Sequence, residues 1–220
     1  MQINVDLHVH TTYSKDSLIT PKDLVYYAKR RGLNAVAVTD HNQLEGAYKI
    51  AKETDFLVIP GMEVSSDDGH IVALNVQELI PRGLSAPETV ERIHEVGGVA
   101  IACHPYVYFK GCLKENVCST FDAIEVINAR AFPFKRSIRK AEGTAKNFGL
   151  SRVAGTDAHY GPQIGYAYTA IETTEPSIEA ITKAIVNGDC QPFGQPVPFT
   201  LNFMLDVLRM KRMVQKFSHR

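Results

Sequence analysis

Two short runs, Ala35-Val36-Ala37-Val38 and Val99-Ala100-Ile101-Ala102, constrain the fold most, because both of their alternating faces are apolar. A strand with one wet face alternates apolar and polar residues. One that is apolar throughout is buried on both faces, as in parallel sheets covered by helices. Around these runs the chain alternates strand-like and helix-like segments, and strands are expected at about 2–7, 34–39, 56–60, 70–76, 99–103, 122–127, 152–156 and 166–172. Helix starts are expected where a capping side chain precedes a carboxylate by three residues: Thr20 with Pro21 and Asp23, Asn42 with Glu45, and Ser85 with Glu88. Gly32, Gly97, Gly149 and Gly188 mark the matching helix ends. Regular alternation of this kind implies an α/β barrel or an open doubly wound sheet. No glycine-rich phosphate loop follows the first strand, which counts against a nucleotide-binding open sheet.

Residues 191–198 hold three prolines and a glycine and read as a strap. After it, residues 200–217 read as one helix with an apolar stripe (Leu201, Met204, Leu205, Leu208, Met213) and a basic side (Arg209, Lys211, Arg212, Lys216). That helix either packs on the domain with its basic face in water or meets a partner. The organisation expected is therefore a domain over 1–190 and a strap and helix over 191–220.

Composition narrows the function. Lys plus Arg and Asp plus Glu number 24 each, so no global field favours a long nucleic acid. No apolar run approaches the roughly 18 residues of a membrane span, and the N-terminus shows no secretory signal, so a cytoplasmic protein without a membrane partner is expected. The four cysteines form no C-x-x-C pair and read as free thiols.

The histidines and carboxylates fall at strand ends. Asp6, His8 and His10 run off the first strand with period-two spacing, which places His8 and His10 on one face. Asp40 and His41 end the second strand, Glu63 lies just beyond the third, His104 ends the fifth, and Asp157 with His159 ends the seventh. Strand C-termini of parallel α/β folds converge on one rim, where sites are assembled. Imidazole and carboxylate without thiolate suit Zn, Mn, Fe or Ni rather than a structural zinc site. There are more candidate ligands than one ion can use, so two or three divalent ions are expected, with Glu63 as the bridge. Phosphoester hydrolysis is the chemistry that profits most from such a cluster.

The segments Asp6-Leu7-His8-Val9-His10-Thr11, Asp16-Ser17, Thr39-Asp40-His41, Gly61-Met62-Glu63, Cys103-His104-Pro105, Ile124-Glu125-Val126-Ile127-Asn128 and Gly155-Thr156-Asp157-Ala158-His159 resemble, in order, the polymerase and histidinol phosphatase (PHP) family. The resemblance spans residues 1 to about 172 and implies a distorted seven-stranded (β/α)7 barrel, a three-metal centre and phosphoester hydrolysis by a metal-bound hydroxide. Carried over by position, it implies that His8, His10, Glu63 and Asp157 hold a first ion and that Glu63 bridges to a second held by His70 and His104. Asp16, His41 and His159 then hold a third. Asp16 stands where some members have histidine. His70 begins the predicted fourth strand, against the rim argument, and reads either as a ligand or as a polar strand-end residue. Asp40 reads as orienting His41 or a water, or as a strand-end cap, and Arg130 as a phosphate clamp or a surface arginine. His94 and His219 read as surface residues, and residues 106–119, with Tyr106, Tyr108, Phe109, Lys110 and Lys114, as a long loop able to act as a substrate lid.

The expected function is a metal-dependent phosphoesterase of a small phosphorylated substrate, with Glu63, Asp157 and Asp40 in the catalytic machinery and Arg130 on the substrate. The alternatives are a 3′ to 5′ nuclease acting on oligonucleotides and a non-catalytic metal-binding scaffold. The final helix also leaves a homo-oligomer open.

Overall fold

The computed structural model describes residues 1–108 and 111–218. Phe109, Lys110 and His219 lie outside the described residues, as does the side chain of Lys216. Strands β1 (Gln2–Val9), β2 (Ala35–Val38), β3 (Leu57–Ser65), β4 (His70–Leu74), β5 (Val99–Ala102), β6 (Ala123–Asn128), β7 (Ser151–Gly155), β8 (Ala167–Glu172) and β9 (Cys190–Gly194) form one sheet in the order β7-β6-β5-β4-β3-β2-β1-β8-β9. Helices α1 (Pro21–Arg30), α2 (Glu45–Glu53), α3 (Ala86–Glu95), α4 (Phe134–Phe148), α5 (Ile178–Asn187) and α6 (Phe199–Ser218) connect and follow them.

The expected seven-stranded barrel becomes a nearly closed sheet of nine strands. The additional edge strand β9 lies in the proline-rich segment read as a strap, where Pro192 and Pro196 argue against a ladder. Pro192 is tolerated because β9 pairs on one side only, antiparallel to β8. On its other side β8 pairs antiparallel with β1, and threonine hydroxyls link it to the β7 end of the sheet. Thr169 Oγ1 accepts from the Ala154 amide (2.8 Å) and donates to its carbonyl (3.0 Å), and Thr156 Oγ1 does the same with Ala167 (3.1 and 3.0 Å).

Strand direction also departs from uniform alternation. β1-β2-β3 and β5-β6-β7 are parallel sets, but β4 runs antiparallel to both β3 and β5. One apolar cluster draws on Val5, Ala37, Ile59, Leu74, Ile101 and Ile171, together with Ile181 and Ile185 of α5. Only the inside of the curved sheet can join so many strands, so α5 closes one end. The opposite strand faces pack under α1 to α4, where each fully buried Leu or Ile, such as Leu24 and Ile50, contributes about 1.5–3 kcal/mol.

Thr20 with Asp23 and Ser85 with Glu88 form the expected reciprocal caps of α1 and α3. Asn42 does not cap α2. It sits at φ 52°, and its side chain pairs with Ser65, accepting from the amide at 2.8 Å and donating to the hydroxyl at 2.9 Å. In α6 the buried side is rotated from the expected stripe. Leu205 is buried and Leu201 and Leu208 partly so, whereas Met204 and Met213 are exposed and Arg209 and Arg212 are turned inward.

Candidate metal centre

All nine histidine and carboxylate residues expected as ligands meet at one rim of the barrel. His8 and His10 leave β1 where its register with β2 shifts, a bulge that re-aims side chains. Asp6, on the same alternation, is not in the site. Its carboxylate is fully buried and accepts from the Thr156 (2.8 Å) and Gly165 (3.0 Å) amides, and burial pushes its pKa up to about 6 against those bonds.

Glu63 is the hub. It lies within β3 rather than beyond it, 1% exposed. Its Oε1 sits 2.7 Å from His70 Nδ1 and 2.9 Å from His104 Nε2, while Oε2 sits 2.9 Å from His41 Nδ1, 3.2 Å from His10 Nε2 and 3.6 Å from His8 Nε2. His70 reaches the rim because β4 is antiparallel: its first residue pairs with Ser65 at the end of β3, so a strand's start lies where its neighbours end. Gly111 packs on that ring. At φ 89°, a Cβ there would fall 2.6 Å from His70 Cε1, so the loop after β5 is a wall beside His70.

Asp157 Oδ1 lies 3.5 Å from His10 Nε2 and 3.9 Å from His8 Nε2. Asp16 Oδ2 is 3.0 Å from His159 Nε2 and 3.7 Å from His41 Nε2, so His41 stands between Glu63 and Asp16 with one ring nitrogen toward each. His104 and Asp157 both adopt positive φ, 32° and 59°, a strained conformation typical of functional sites.

These residues fit divalent cations. Ligand bonds of about 2.0–2.2 Å put neighbouring donor atoms roughly 3.0–3.5 Å apart, close to many of the separations here. The buried Glu63 Oε2 makes no hydrogen bond among the described residues although two ring nitrogens lie within 3.2 Å, and Asp16 Oδ1 and His104 Nδ1 are likewise buried and unpaired. His8 Nε2 and His10 Nε2 face each other at 3.2 Å. Groups able to share an ion are His8-His10-Glu63, His41-Glu63-His70, His10-His41-His159 and His8-Cys103-His104.

Outer contacts fix these rings. Glu125, within a quoted segment but given no role from sequence, is buried with Oε1 3.2 Å from His8 Nδ1, and its Oε2 accepts from the His104 amide (2.8 Å) and from Asn128 Nδ2 (2.9 Å). Its signal was a carboxylate inside an otherwise apolar strand. Gly155 makes room for this layer, since a Cβ there would meet His8 Cβ at 2.5 Å and Glu125 Oε1 at 2.6 Å. Cys103, also without a role from sequence, lies buried with Sγ 3.7 Å from Glu63 Oε1, and burial keeps it a thiol.

Asp40 is turned away from the cleft. Its Oδ1 accepts from the Thr11 amide (2.7 Å), the Ser14 amide (3.1 Å) and the Ser14 hydroxyl (2.7 Å), and its Oδ2 from the Thr11 hydroxyl (2.6 Å). Among the described residues it reaches His41 through Ser14, whose Oγ accepts from the His41 amide at 3.0 Å, so it holds the turn that carries His41. Arg130 lines the cleft and bonds through Nη1 to the Asp157 carbonyl (3.2 Å) and His159 Nδ1 (2.7 Å). His94 pairs with Asp122 at 2.8 Å, away from the cleft.

Without ions the site binds protons in their place. Burial would lower the pKa of His41, but Asp16 and Glu63 outweigh it and push it up to about 10. His8 is raised well above its usual value by Glu125 and Asp157 against the same burial. Burial would raise Glu63, yet the surrounding imidazoles hold it well below the carboxylate range. Burial and His10 lower His159 to about 4. Cation uptake at pH 7 is therefore expected to release at least one proton, with affinity rising with pH. Titration calorimetry with Mn²⁺ in two buffers of different ionisation enthalpy measures it, and a buffer-independent heat would contradict it.

The chain belongs to the PHP domain family, whose model matches residues 6–182. An uncharacterized protein of Methanocaldococcus jannaschii is 38% identical over 141 residues, 58% of this chain and 82% of that one. A 5′-3′ exoribonuclease of Haemophilus influenzae is 34% identical over 103 residues, 44% of this chain and 37% of the enzyme. Among solved structures, a two-domain Bacteroides vulgatus protein containing a predicted PHP-like metal-dependent phosphoesterase superposes with TM-score 0.72 at 20% identity, over 89% of this chain and 65% of that chain. The chain thus spans slightly less than two thirds of that neighbour. Among the described residues no helix is long and apolar enough to cross a membrane.

Proposed function

We propose that the chain is a metal-dependent phosphoesterase that takes the phosphoryl end of a small phosphoester into the rim cleft. The observation that carries this reading is Glu63: a buried carboxylate with both oxygens surrounded by imidazoles and one oxygen unpaired. His8, His10, His41, His70, His104, His159, Asp16, Glu63 and Asp157 would hold two or three ions, of which Zn, Mn and Fe suit the donors. Bound ions would offset phosphoryl charge and lower the pKa of water.

The chain's own part is positioning. Glu125 holds His8, and Ser14 holds the backbone of His41. Arg130 spends Nη1 on Asp157 and His159, and among the described residues Nε and Nη2 make no hydrogen bond, so they are free for phosphate oxygens. The cleft is about 200 Å³, below the roughly 300–1,000 Å³ of sites that engulf a drug-sized ligand, which supports entry by a phosphoryl end alone.

A second reading, an end-acting nuclease, is favoured by an aromatic pair beside the cleft. Tyr108 and Phe132 are both about 60% exposed and meet edge to face at 6.4 Å, with Arg136 over the Tyr108 ring. Such surfaces stack bases. The relative named as an exoribonuclease agrees with this reading.

The test is a screen of phosphomonoesters, phosphodiesters, nucleotides and short oligonucleotides with Mn²⁺, Zn²⁺ or Fe²⁺, with and without chelator. Full activity in strong chelator would overturn both readings, and steep salt dependence of oligonucleotide turnover would favour the second. Arg130→Ala is expected to lower kcat/KM, measured at saturating metal, by about 10–100-fold, roughly 1.4–2.7 kcal/mol.

A further inference from the structure

The family model matches residues 6–182, and α6 begins at Phe199, beyond the matched residues. Its inward side is mixed: beside Leu205 lie Asn202, Arg209 and Arg212, where a helix that merely covered the barrel would present apolar residues. These polar groups point at the candidate ligands. Arg209 Nε donates to the Asp16 carbonyl at 2.6 Å and Nη2 to Asp16 Oδ2 at 3.5 Å, and Arg212 donates to the next carbonyl, Ser17, at 3.1 Å. Nearer the start of α6, Asn202 Oδ1 accepts from Gln163 Nε2 at 2.9 Å. Gln163 Oε1 in turn accepts from the amides of His159 and Tyr160, both at 3.0 Å.

The helix thus grips two residues that face each other across one corner of the cleft. Asp16 has the most need of support. Its side chain is 44% exposed, against 4% for His159, and it sits in a turn rather than on a strand. Its Oδ2 is shared between Arg209 and His159, while Oδ1 stays buried and unpaired.

We propose that α6 completes the cation subsite of Asp16, His10, His41 and His159. Arg209 is a positioning residue for Asp16, and Asn202, acting through Gln163, is one for His159. The inference rests on the reading of the cleft as a multi-ion centre. A guanidinium offers a planar fork that engages a carbonyl and a carboxylate oxygen together, whereas an ammonium is a point charge. Contacts that orient a ligand typically change metal affinity by about 10–100-fold.

The test is Mn²⁺ binding to the full chain by titration calorimetry, with elemental analysis after desalting. Native protein is compared with Arg209→Ala, Arg209→Lys, Asn202→Ala, Arg212→Ala and, as an exposed control, Lys211→Ala. Arg209→Ala is expected to weaken one class of ion by about 10–100-fold and leave the others unchanged, with Arg209→Lys intermediate. Asn202→Ala is expected to lower the same class by a smaller factor, and Lys211→Ala to match native protein. In an Asp16→Ala background, Arg209→Ala should add no further loss. Melting curves of the metal-free variants separate lost folding from lost binding, and Arg209→Lys and Asn202→Ala carry the test if Arg209→Ala unfolds. Native-like binding of every ion by Arg209→Ala overturns the inference while leaving the multi-ion reading intact. So does an equal loss in Arg212→Ala, which would assign the effect to helix docking in general. A native chain that takes up no ion overturns both.

Discussion

Replacing Glu63 by Gln is expected to abolish activity and empty the site of at least one ion. The change preserves size and shape but substitutes an amide for a carboxylate whose two oxygens face His70 and His104 on one side and His41, His10 and His8 on the other. An amide cannot offer two anionic oxygens, and its NH₂ would face ring nitrogens. Turnover of whichever phosphoester the native protein accepts should fall at least about a thousand-fold, roughly 4 kcal/mol in the barrier. Elemental analysis should show the missing metal.

The metal-free protein gives an independent readout. There Glu63 neutralises protonated imidazoles, and removing one partner of a buried ionic set costs about 3–5 kcal/mol. The depressed pKa of Glu63 contributes stability present above the ordinary carboxylate value of 4.5 and lost as pH falls further. The raised pKa of His41 contributes stability that is full below 6.5 and is lost as pH rises through about 10. The difference between native and Glu63→Gln in chelator should therefore be largest near pH 4.5–6.5 and shrink toward pH 10, as denaturant titrations across that range can measure. Native-like metal content and turnover in the variant would displace Glu63 from the centre of the site.

The sequence carried those features of the site that depend on local pattern. Strand ends could be placed because the alternation of the first strand runs out at His10 and the apolar stretches of later strands give way to Asp40-His41, His104 and Asp157, and convergence of those ends follows from parallel strands. His70 looked misplaced for a reason that is global: a strand's direction is set by its neighbours, and the reversal of β4 is not written in five residues that read His-Ile-Val-Ala-Leu. β9 was hidden because Pro192 speaks against a central strand and only the sheet order shows that it is an edge. The role of Glu125 required knowing that its neighbour is His8, 117 residues away. Arg209 read as one of four basic residues on a wet helix face, because the rotation of α6 depends on the surface it meets.

Asp40 separates a residue that builds the site from one that works in it. It is 1% exposed and holds the 11–14 turn through four hydrogen bonds, three to Oδ1 and one to Oδ2. Asp40→Ala would leave the Thr11 amide and two hydroxyls without their acceptor, while the Ser14 amide keeps the Thr11 carbonyl at 2.9 Å, and a loss of about 3–5 kcal/mol in unfolding free energy is expected. Asp40→Asn should cost only about 1–2 kcal/mol. The retained oxygen can take the two amides, which cannot reverse, while the NH₂ faces the Thr11 hydroxyl, which can turn to accept. Because Ser14 carries the effect to the His41 amide and lies 3.3 Å from His10 Nδ1, Asp40→Ala should also weaken metal binding, and Asp40→Asn should largely keep it. Denaturant titration and metal analysis of the two variants decide the matter. If Asp40→Asn folds and binds metal like the native chain yet turns over nothing, the carboxylate itself takes part in the chemistry. If its activity follows its metal content, Asp40 acts through the turn that carries His10 and His41.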